Sequence, residues 1–172
     1  MSENPMKEIK IEKVTVNIGV GEVGKEVNKA LNLLETLTNS YAVKTESSMN
    51  AKGFGLRENL EIGAKTTLRG EEAEEFLEKA FQALEENISV DNFDKQGNLS
   101  FGVEEYINFP GVEYNPDIGM QGFDVAVNIE RPGYRVKKRD IKSKKVGKSH
   151  QVTPEESANF IADNFGVEVE GV

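Results

Sequence analysis

The sequence predicts an α+β fold. Some segments alternate apolar with polar residues, others repeat apolar residues every three or four positions, and the two kinds interleave along one unbroken chain. At 172 residues the chain suits a single domain, 1–172, able to bury about two-thirds or more of its unfolded surface. No Ser/Gly or Pro tract, repeat or low-complexity run divides it.

The first element is a half-buried strand over 11–20, where Ile11, Val14, Val16, Ile18 and Val20 fall mostly at alternating positions. Val27, Ala30, Leu31, Leu34 and Leu37 then recur at helical spacing, which predicts an amphipathic helix over 25–39. After a polar stretch, IGAKTTLRG at 62–70 reads as a strand and runs into a helix at 71–86. The helix stripe is Ala73, Phe76, Leu77, Ala80 and Leu84, and acids in its first turn complement the helix dipole. Strand character returns at Leu99 to Val103. It is clearest at 123–130, where Phe123, Val125, Val127 and Ile129 point one way and Asp124, Ala126, Asn128 and Glu130 the other. The last helix opens on Thr153, Pro154 and Glu156, a capping box with proline at the first helical position, and closes at Gly166.

Charge is distributed unevenly. Residues 131–148, RPGYRVKKRDIKSKKVGK, hold nine of the 21 Lys and Arg and one acid, Asp140. This segment carries +8 against −17 for the rest, within a formal net charge of −9. Clustered cations on an acidic body favour a docked polyanion such as RNA and repel it elsewhere. A solvated, partly disordered loop has the same composition, so other residues must decide. Cysteine is absent, which removes disulfides and thiolate zinc sites. No stretch approaches the roughly 18 apolar residues of a membrane span, and the amino terminus has no apolar leader core. The expectation is a soluble cytoplasmic protein. The acidic excess also fits a cell with high internal salt.

Enzymatic groupings are sparse. Gly19, Gly21 and Gly24 satisfy GxGxxG between a strand and a helix, with Glu46 22 residues after Gly24, as a dinucleotide-binding unit would require. Such a unit buries its second strand in a parallel sheet, yet AVKTESS at 42–48 is nearly all polar, so the glycines are better explained by a tight turn. KGFG at 52–55 matches the opening of an RNA-recognition octamer, with Phe54 as the stacking ring, and fails at Leu56. His150 is the only histidine, which leaves little material for a nucleophilic triad or a histidine metal site. Paired acids such as Glu71 and Glu72 read as hydrated helix faces. No cofactor, metal or catalytic activity is expected.

Five stretches together resemble a known family. They are IEKVTVNIGVGE at 11–22, FGLRENLEIGAKTTLRGE at 54–71, GNLSFGVEEYINFPGVEYNPD at 97–117, GFDVAVNI at 122–129 and RPGYRVKKRD at 131–140. In order, across roughly residues 8–170, they look like large ribosomal subunit protein five in its archaeal form. The resemblance implies a mainly antiparallel sheet with helices packed on one face, and RPGYR as the strand leading into the last helix. It implies a structural constituent of the large subunit's central protuberance that binds 5S rRNA, contacts the peptidyl-site tRNA and bridges to a protein of the small-subunit head. Large-subunit rRNA and other large-subunit proteins are further implied partners.

Carried over by position, the resemblance makes Asn17, Phe54 and Thr67 contacts to 5S rRNA. Short polar side chains suit sugar and phosphate, and an exposed ring suits an unpaired base. Lys44, Arg57, Lys65 and Arg69 are the neighbouring cations expected to meet phosphates. From the basic segment, Arg131, Arg135, Lys137, Lys138 and Arg139 join them. The 49–61 loop is expected to hold 5S rRNA and face tRNA, and the 109–121 loop to reach the small subunit. The chain departs from the family where KTKAK would follow Val43: here Glu46 and Ser47 interrupt the positive run. Ser40 replaces a Gln, and Glu61 replaces a Pro. Each change lowers the positive charge or contact capacity of the expected RNA face. The rival readings are a free-standing RNA-binding module and a dinucleotide-binding enzyme.

Overall fold

A computed structural model describes residues 4–21, 24–48, 57–84 and 87–170. Seven strands and four α-helices occur among these residues: β1 (Lys10–Gly19), α1 (Lys25–Thr38), β2 (Val43–Glu46), β3 (Glu61–Leu68), α2 (Glu71–Ala83), β4 (Asn87–Ser89), β5 (Leu99–Val103), β6 (Phe123–Glu130), α3 (Arg135–Lys138), α4 (Pro154–Phe165) and β7 (Glu168–Glu170). Five strands form one sheet in the order β2-β3-β1-β6-β5, and every neighbouring pair in it is antiparallel.

The alternation in the sequence fixes which face is inside. Val14, Val16 and Ile18 on β1 lie opposite Leu68, Thr66 and Ala64 on β3, and these residues are buried with Phe123, Val125, Val127 and Ile129 of β6 and Leu99, Phe101 and Val103 of β5. A one-residue slip would carry this whole set to solvent, so the register is strongly specified. The one register shift on β1 falls between Ile11 and Lys13, where Glu12 is the extra residue of a bulge against β6.

Helices α1 and α2 cover the inner face. Val27, Ala30, Leu33, Leu34 and Leu37 of α1 are buried, with Leu33 taking the place expected for Leu31, which is only partly buried. Helix α2 buries Ala73, Phe76, Leu77, Ala80 and Phe81, and the expected Leu84 falls at its C-cap. Rings tie α2 to its surroundings: Phe76 lies 6.5 Å from Phe123 of β6 and 5.2 Å from Phe109 in the loop before it, and Phe81 lies 5.6 Å from Phe101 of β5 and 5.3 Å from Phe165 of α4. Such pairs add about 0.5–1.5 kcal/mol each beyond the area they bury. Helix α4 begins with the expected capping box, Glu156 N donating to Thr153 Oγ1 at 3.3 Å and Thr153 N donating to Glu156 Oε2 at 3.1 Å. It ends at Gly166, whose φ of 69° is the left-handed cap that glycine adopts at no steric cost. Beyond it β7 pairs in parallel with β4, a two-stranded unit that sequence periodicity does not reveal.

One expectation is corrected and one rival reading is excluded. RPGYR does not extend as a strand: β6 stops at Glu130, the chain turns through Pro132 and Gly133, and Arg135–Lys138 form α3. Proline lacks the ladder donor and Gly133 has a φ of 104°, so pairing cannot continue. The dinucleotide reading also falls. β1 and β2 are separated by β3 in an antiparallel sheet, whereas the cofactor cradle needs parallel neighbours. Gly21, with a φ of 74°, instead follows the end of β1, where the amides of Val20 and Gly21 both donate across to Ile62 O of β3, at 2.9 and 3.0 Å.

Candidate nucleic-acid interface

Among the described residues, the face of the sheet turned away from α1 and α2 is exposed or half-buried along its central strands. Its residues are those whose positions alternate with the core: Lys13, Thr15 and Asn17 on β1, Lys65 and Thr67 on β3, Asp124, Ala126 and Asn128 on β6, and Ser100 and Gly102 on β5, all exposed or half-buried. Antiparallel register sets Asn17 directly opposite Lys65 and Thr15 directly opposite Thr67, so these side chains start from Cβ atoms about 4.5–5.5 Å apart. Three of the expected RNA contacts, Asn17, Lys65 and Thr67, therefore form one cluster. Neighbouring positions are small, and Gly63 has to be glycine: a Cβ there would lie 2.5 Å from Ile18 O and 2.8 Å from Thr45 Oγ1. The result is a low, polar surface that lets a sugar–phosphate chain approach the backbone. Among the described residues, no carboxylate lies within ion-pair distance of Lys13 or Lys65.

Other expected cations are already engaged. Lys44 donates to Glu61 Oε2 at 2.7 Å, so the residue standing where the family has proline takes up this charge directly. Arg69 reaches back to the bulge, donating to Glu12 Oε1 at 3.0 Å and to Glu12 O at 3.3 Å. Lys138 of α3 meets the same Glu12 Oε1 at 3.0 Å and Glu130 Oε2 at 2.7 Å. Glu12 is only 18% exposed. Burial pushes its carboxyl pKa up, but the hydrogen bonds and charges of Lys138 and Arg69 outweigh that and hold it below the ordinary 4.5. Burial likewise opposes the Lys138 charge, and Glu130 and Glu12 outweigh it to raise that pKa.

Arg131 is more deeply committed. Its side chain is 11% exposed and joins the amino-terminal segment, the turn before α4 and α4 itself: Nε donates to Lys7 O at 3.1 Å, one terminal nitrogen to Gln151 O at 3.3 Å and the other to Glu156 Oε1 at 2.8 Å. The sequence grouped Arg131 with RNA-facing cations, whereas its donors here are turned into the protein. Glu156 is held below the ordinary carboxylate value: burial raises it, and the Thr153 amide and then Arg131 outweigh burial. Arg135, Lys137 and Arg139 are exposed and have no carboxylate partner among the described residues; Lys137 donates to Gln96 Oε1 at 2.8 Å and Arg139 Nε to Lys142 O at 3.1 Å.

The basic segment folds back on itself and onto the chain that follows it. Lys144 N donates to Val136 O at 3.1 Å, Ser143 Oγ to Lys137 O at 3.2 Å and Val152 N to Tyr134 Oη at 3.1 Å, and His150 Nε2 lies 2.8 Å from Pro132 O. Arg57 is exposed where the described chain resumes, and Phe54 lies outside the described residues, as does most of the 49–61 loop. The sequence reading passed over Tyr41, which is 81% exposed beside edge strand β2 while Thr66 Oγ1 donates to its carbonyl at 3.1 Å. A lone aromatic in a polar stretch was the available signal. Ser40, where the family has Gln, turns its hydroxyl to Glu72 at 3.3 Å. Among the described residues no His, Cys, Asp and Glu cluster has metal-binding geometry, and no helix is long and apolar enough to cross a membrane.

An open antiparallel sheet with helices packed on its inner face defines an α+β protein. The particular family follows from comparison with known proteins. Residues 4–57 match the family model for ribosomal protein L5, and residues 61–168 match that for the ribosomal L5P family C-terminus. The large ribosomal subunit protein uL5 of Methanobrevibacter smithii is 46% identical over 164 residues, covering 95% of this chain and 96% of its own length. Its counterpart in Methanococcus vannielii is 46% identical over 97% of this chain and 94% of its own, and that of Sulfurisphaera tokodaii 45% over 96% and 94%. The chain belongs to the ribosomal protein L5 family, a non-enzymatic ribosomal family.

Proposed function

We propose that this protein is a cytoplasmic constituent of the large ribosomal subunit that binds 5S rRNA on the outer face of its sheet. The observation that carries the reading is the uncovered cluster of Asn17, Lys65 and Thr67 on small neighbours, with helices occupying the opposite face. Asn and Thr offer short hydrogen bonds to ribose and phosphate, Lys65 offers an unpaired charge, and Tyr41 at the sheet edge adds a ring for an unstacked base. Arg135, Lys137 and Arg139 neutralise large-subunit rRNA alongside. The 49–61 segment, with Phe54 and Arg57, holds 5S rRNA and faces peptidyl-site tRNA. The 109–121 loop, which exposes Tyr114 and Met120 and is braced by Asn115 N donating to Tyr106 Oη at 2.8 Å, reaches a small-subunit head protein. Neighbouring large-subunit proteins complete the set of partners.

The test is 5S rRNA affinity. Asn17→Ala and Thr67→Ala each weaken binding by about 1 kcal/mol or more, because a partner in a desolvated interface loses its bond. Glu78→Ala, on the exposed side of α2, leaves it unchanged. Equal affinity in all three folded variants refutes the assignment. Co-sedimentation with large subunits separates this reading from a free-standing RNA-binding module.

A further inference from the structure

A cleft lies where three segments outside the sheet strands converge. The turn before β5 contributes Lys95, helix α3 contributes Lys137, and the chain before α4 contributes Lys145 and Lys148; Tyr134 and Val146 supply apolar surface. The cleft measures about 490 Å³, within the roughly 300–1,000 Å³ that ligand sites occupy. Four lysines line it, and among the described residues no carboxylate does. In a chain with 30 acids this segregation is selective, and one-signed walls focus the field on an incoming anion.

The cleft is also built. Asp94 Oδ1 accepts from Gln96 N and Asn98 N, each at 2.8 Å, fixing the turn that carries Lys95. Gln96 Oε1 accepts from Lys137 Nζ at 2.8 Å, which holds that ammonium at the wall without neutralising it. Gln151 Nε2 donates to Val146 O at 3.4 Å, and the Tyr134 hydroxyl accepts from Val152 N while donating to His150 O at 3.4 Å. The ring is pinned and its hydroxyl is occupied, so it offers a ligand surface rather than a hydrogen bond. Four like charges repel one another, and bringing them together without acids suits a ligand carrying more than one negative charge. An apolar wall beside them suits a flat ring.

We propose that the cleft between the turn at Lys95, α3 and the Lys145–Lys148 segment binds a phosphorylated nucleotide, with its phosphates on the lysines and its base against Tyr134 and Val146. The nucleotide is either free or one unit of an RNA strand, for the chemistry recognised is the same. The site does not depend on the sheet face.

The experiment uses the full chain and three probes without added magnesium: ATP, inorganic triphosphate, and a single-stranded RNA decamer prepared with either a 5′-triphosphate or a 5′-hydroxyl. Binding is followed by calorimetry, and the lysine contacts by amide and side-chain shifts in NMR spectra. ATP or the triphosphorylated decamer is expected to bind and shift Lys145 and Lys148. The double variant Lys145→Gln/Lys148→Gln is expected to lose about tenfold or more in affinity, with an unchanged melting temperature. Lys79→Gln on α2 is expected to bind both probes like the wild type, and the cleft variant is read without reference to 5S rRNA affinity, so failure of the sheet reading leaves this result intact. ATP binding that the decamer does not displace identifies a free nucleotide, and tighter binding of the triphosphorylated decamer identifies a strand-borne one. The proposal is overturned if neither probe binds, if the cleft variant binds as the wild type does, if inorganic triphosphate binds as tightly as ATP, or if both forms of the decamer bind equally and ATP does not bind.

Discussion

Glu12→Gln is the most informative perturbation of the fold, because one carboxylate at a β-bulge ties together two cations distant in sequence. Wild-type Glu12 accepts from Arg69 and Lys138 at 3.0 Å each, and it is 18% exposed while those side chains are 59% and 46% exposed. An exposed ion pair contributes about 0.2–1 kcal/mol, and a net hydrogen bond to a charged group about 1.5–3 kcal/mol when shielded. Lys138 keeps Glu130, and Arg69 keeps the Glu12 carbonyl, so neither cation is stranded. Both cations are largely solvated, which leaves a loss of about 1–2 kcal/mol at neutral pH. For a chain this size that lowers Tm by roughly 2–4 °C per kcal/mol. The pH dependence identifies the cause. The folded Glu12 pKa lies below 4.5, so its stabilisation is fully present above the unfolded value and disappears as pH falls through the folded one. Urea denaturation of both proteins from pH 7 to pH 3 should show their difference closing at the acid end. A difference that stays constant would mean glutamine disturbs packing at the bulge, and the electrostatic account would be refuted.

Three further outcomes are expected. Arg131→Ala lowers unfolding free energy by about 1–3 kcal/mol in chemical denaturation, since it abandons Glu156 and two backbone carbonyls; unchanged stability would return Arg131 to the RNA-facing set. Gly63→Ala costs about 1–3 kcal/mol, because a Cβ 2.5 Å from Ile18 O forces the β1–β3 pair apart, and a variant as stable as the wild type would show that the strands yield freely. For 5S rRNA, about six phosphate contacts give a log–log salt slope of roughly −4 to −5. Lys65→Gln should make that slope shallower by about 1 whereas Lys44→Gln, already paired with Glu61, should not; equal effects would show that internal pairing does not decide which cations meet phosphate.

The sequence disclosed the sheet core because a half-buried strand writes its register as alternation: every apolar position of Phe123, Val125, Val127 and Ile129 is buried as expected. It disclosed α4 through its cap, where Thr153 and Glu156 act locally. The pairing of β4 with β7 was not legible, since three-residue strands have too few positions for a period and meet across 78 or more residues. The cluster of Asn17, Lys65 and Thr67 was half legible: family position named the residues, and only antiparallel register made them neighbours. The fates of Lys44, Arg69, Arg131 and Lys138 could not be read, because a cation's partner is chosen by tertiary approach. Glu12 serves Arg69 and Lys138 across 57 and 126 residues of chain.

Positive charge in this protein therefore has two uses. Arg131, Arg69, Lys138 and Lys44 meet carboxylates and hold segments together, while Lys13 and Lys65 on the sheet and Lys95, Lys137, Lys145 and Lys148 around the cleft have no acid within ion-pair distance among the described residues. Had the cations been scattered evenly through a body carrying 30 acids, most would meet a carboxylate and few would remain to release counterions on meeting RNA. The fold prevents this by putting acids on the solvent side of α2 and keeping them off the cleft, where Gln96 and Gln151 stand as neutral supports. Net charge consequently says little about what such a surface binds. An acidic chain presents a cationic face when its internal salt bridges consume only the cations that the fold itself needs.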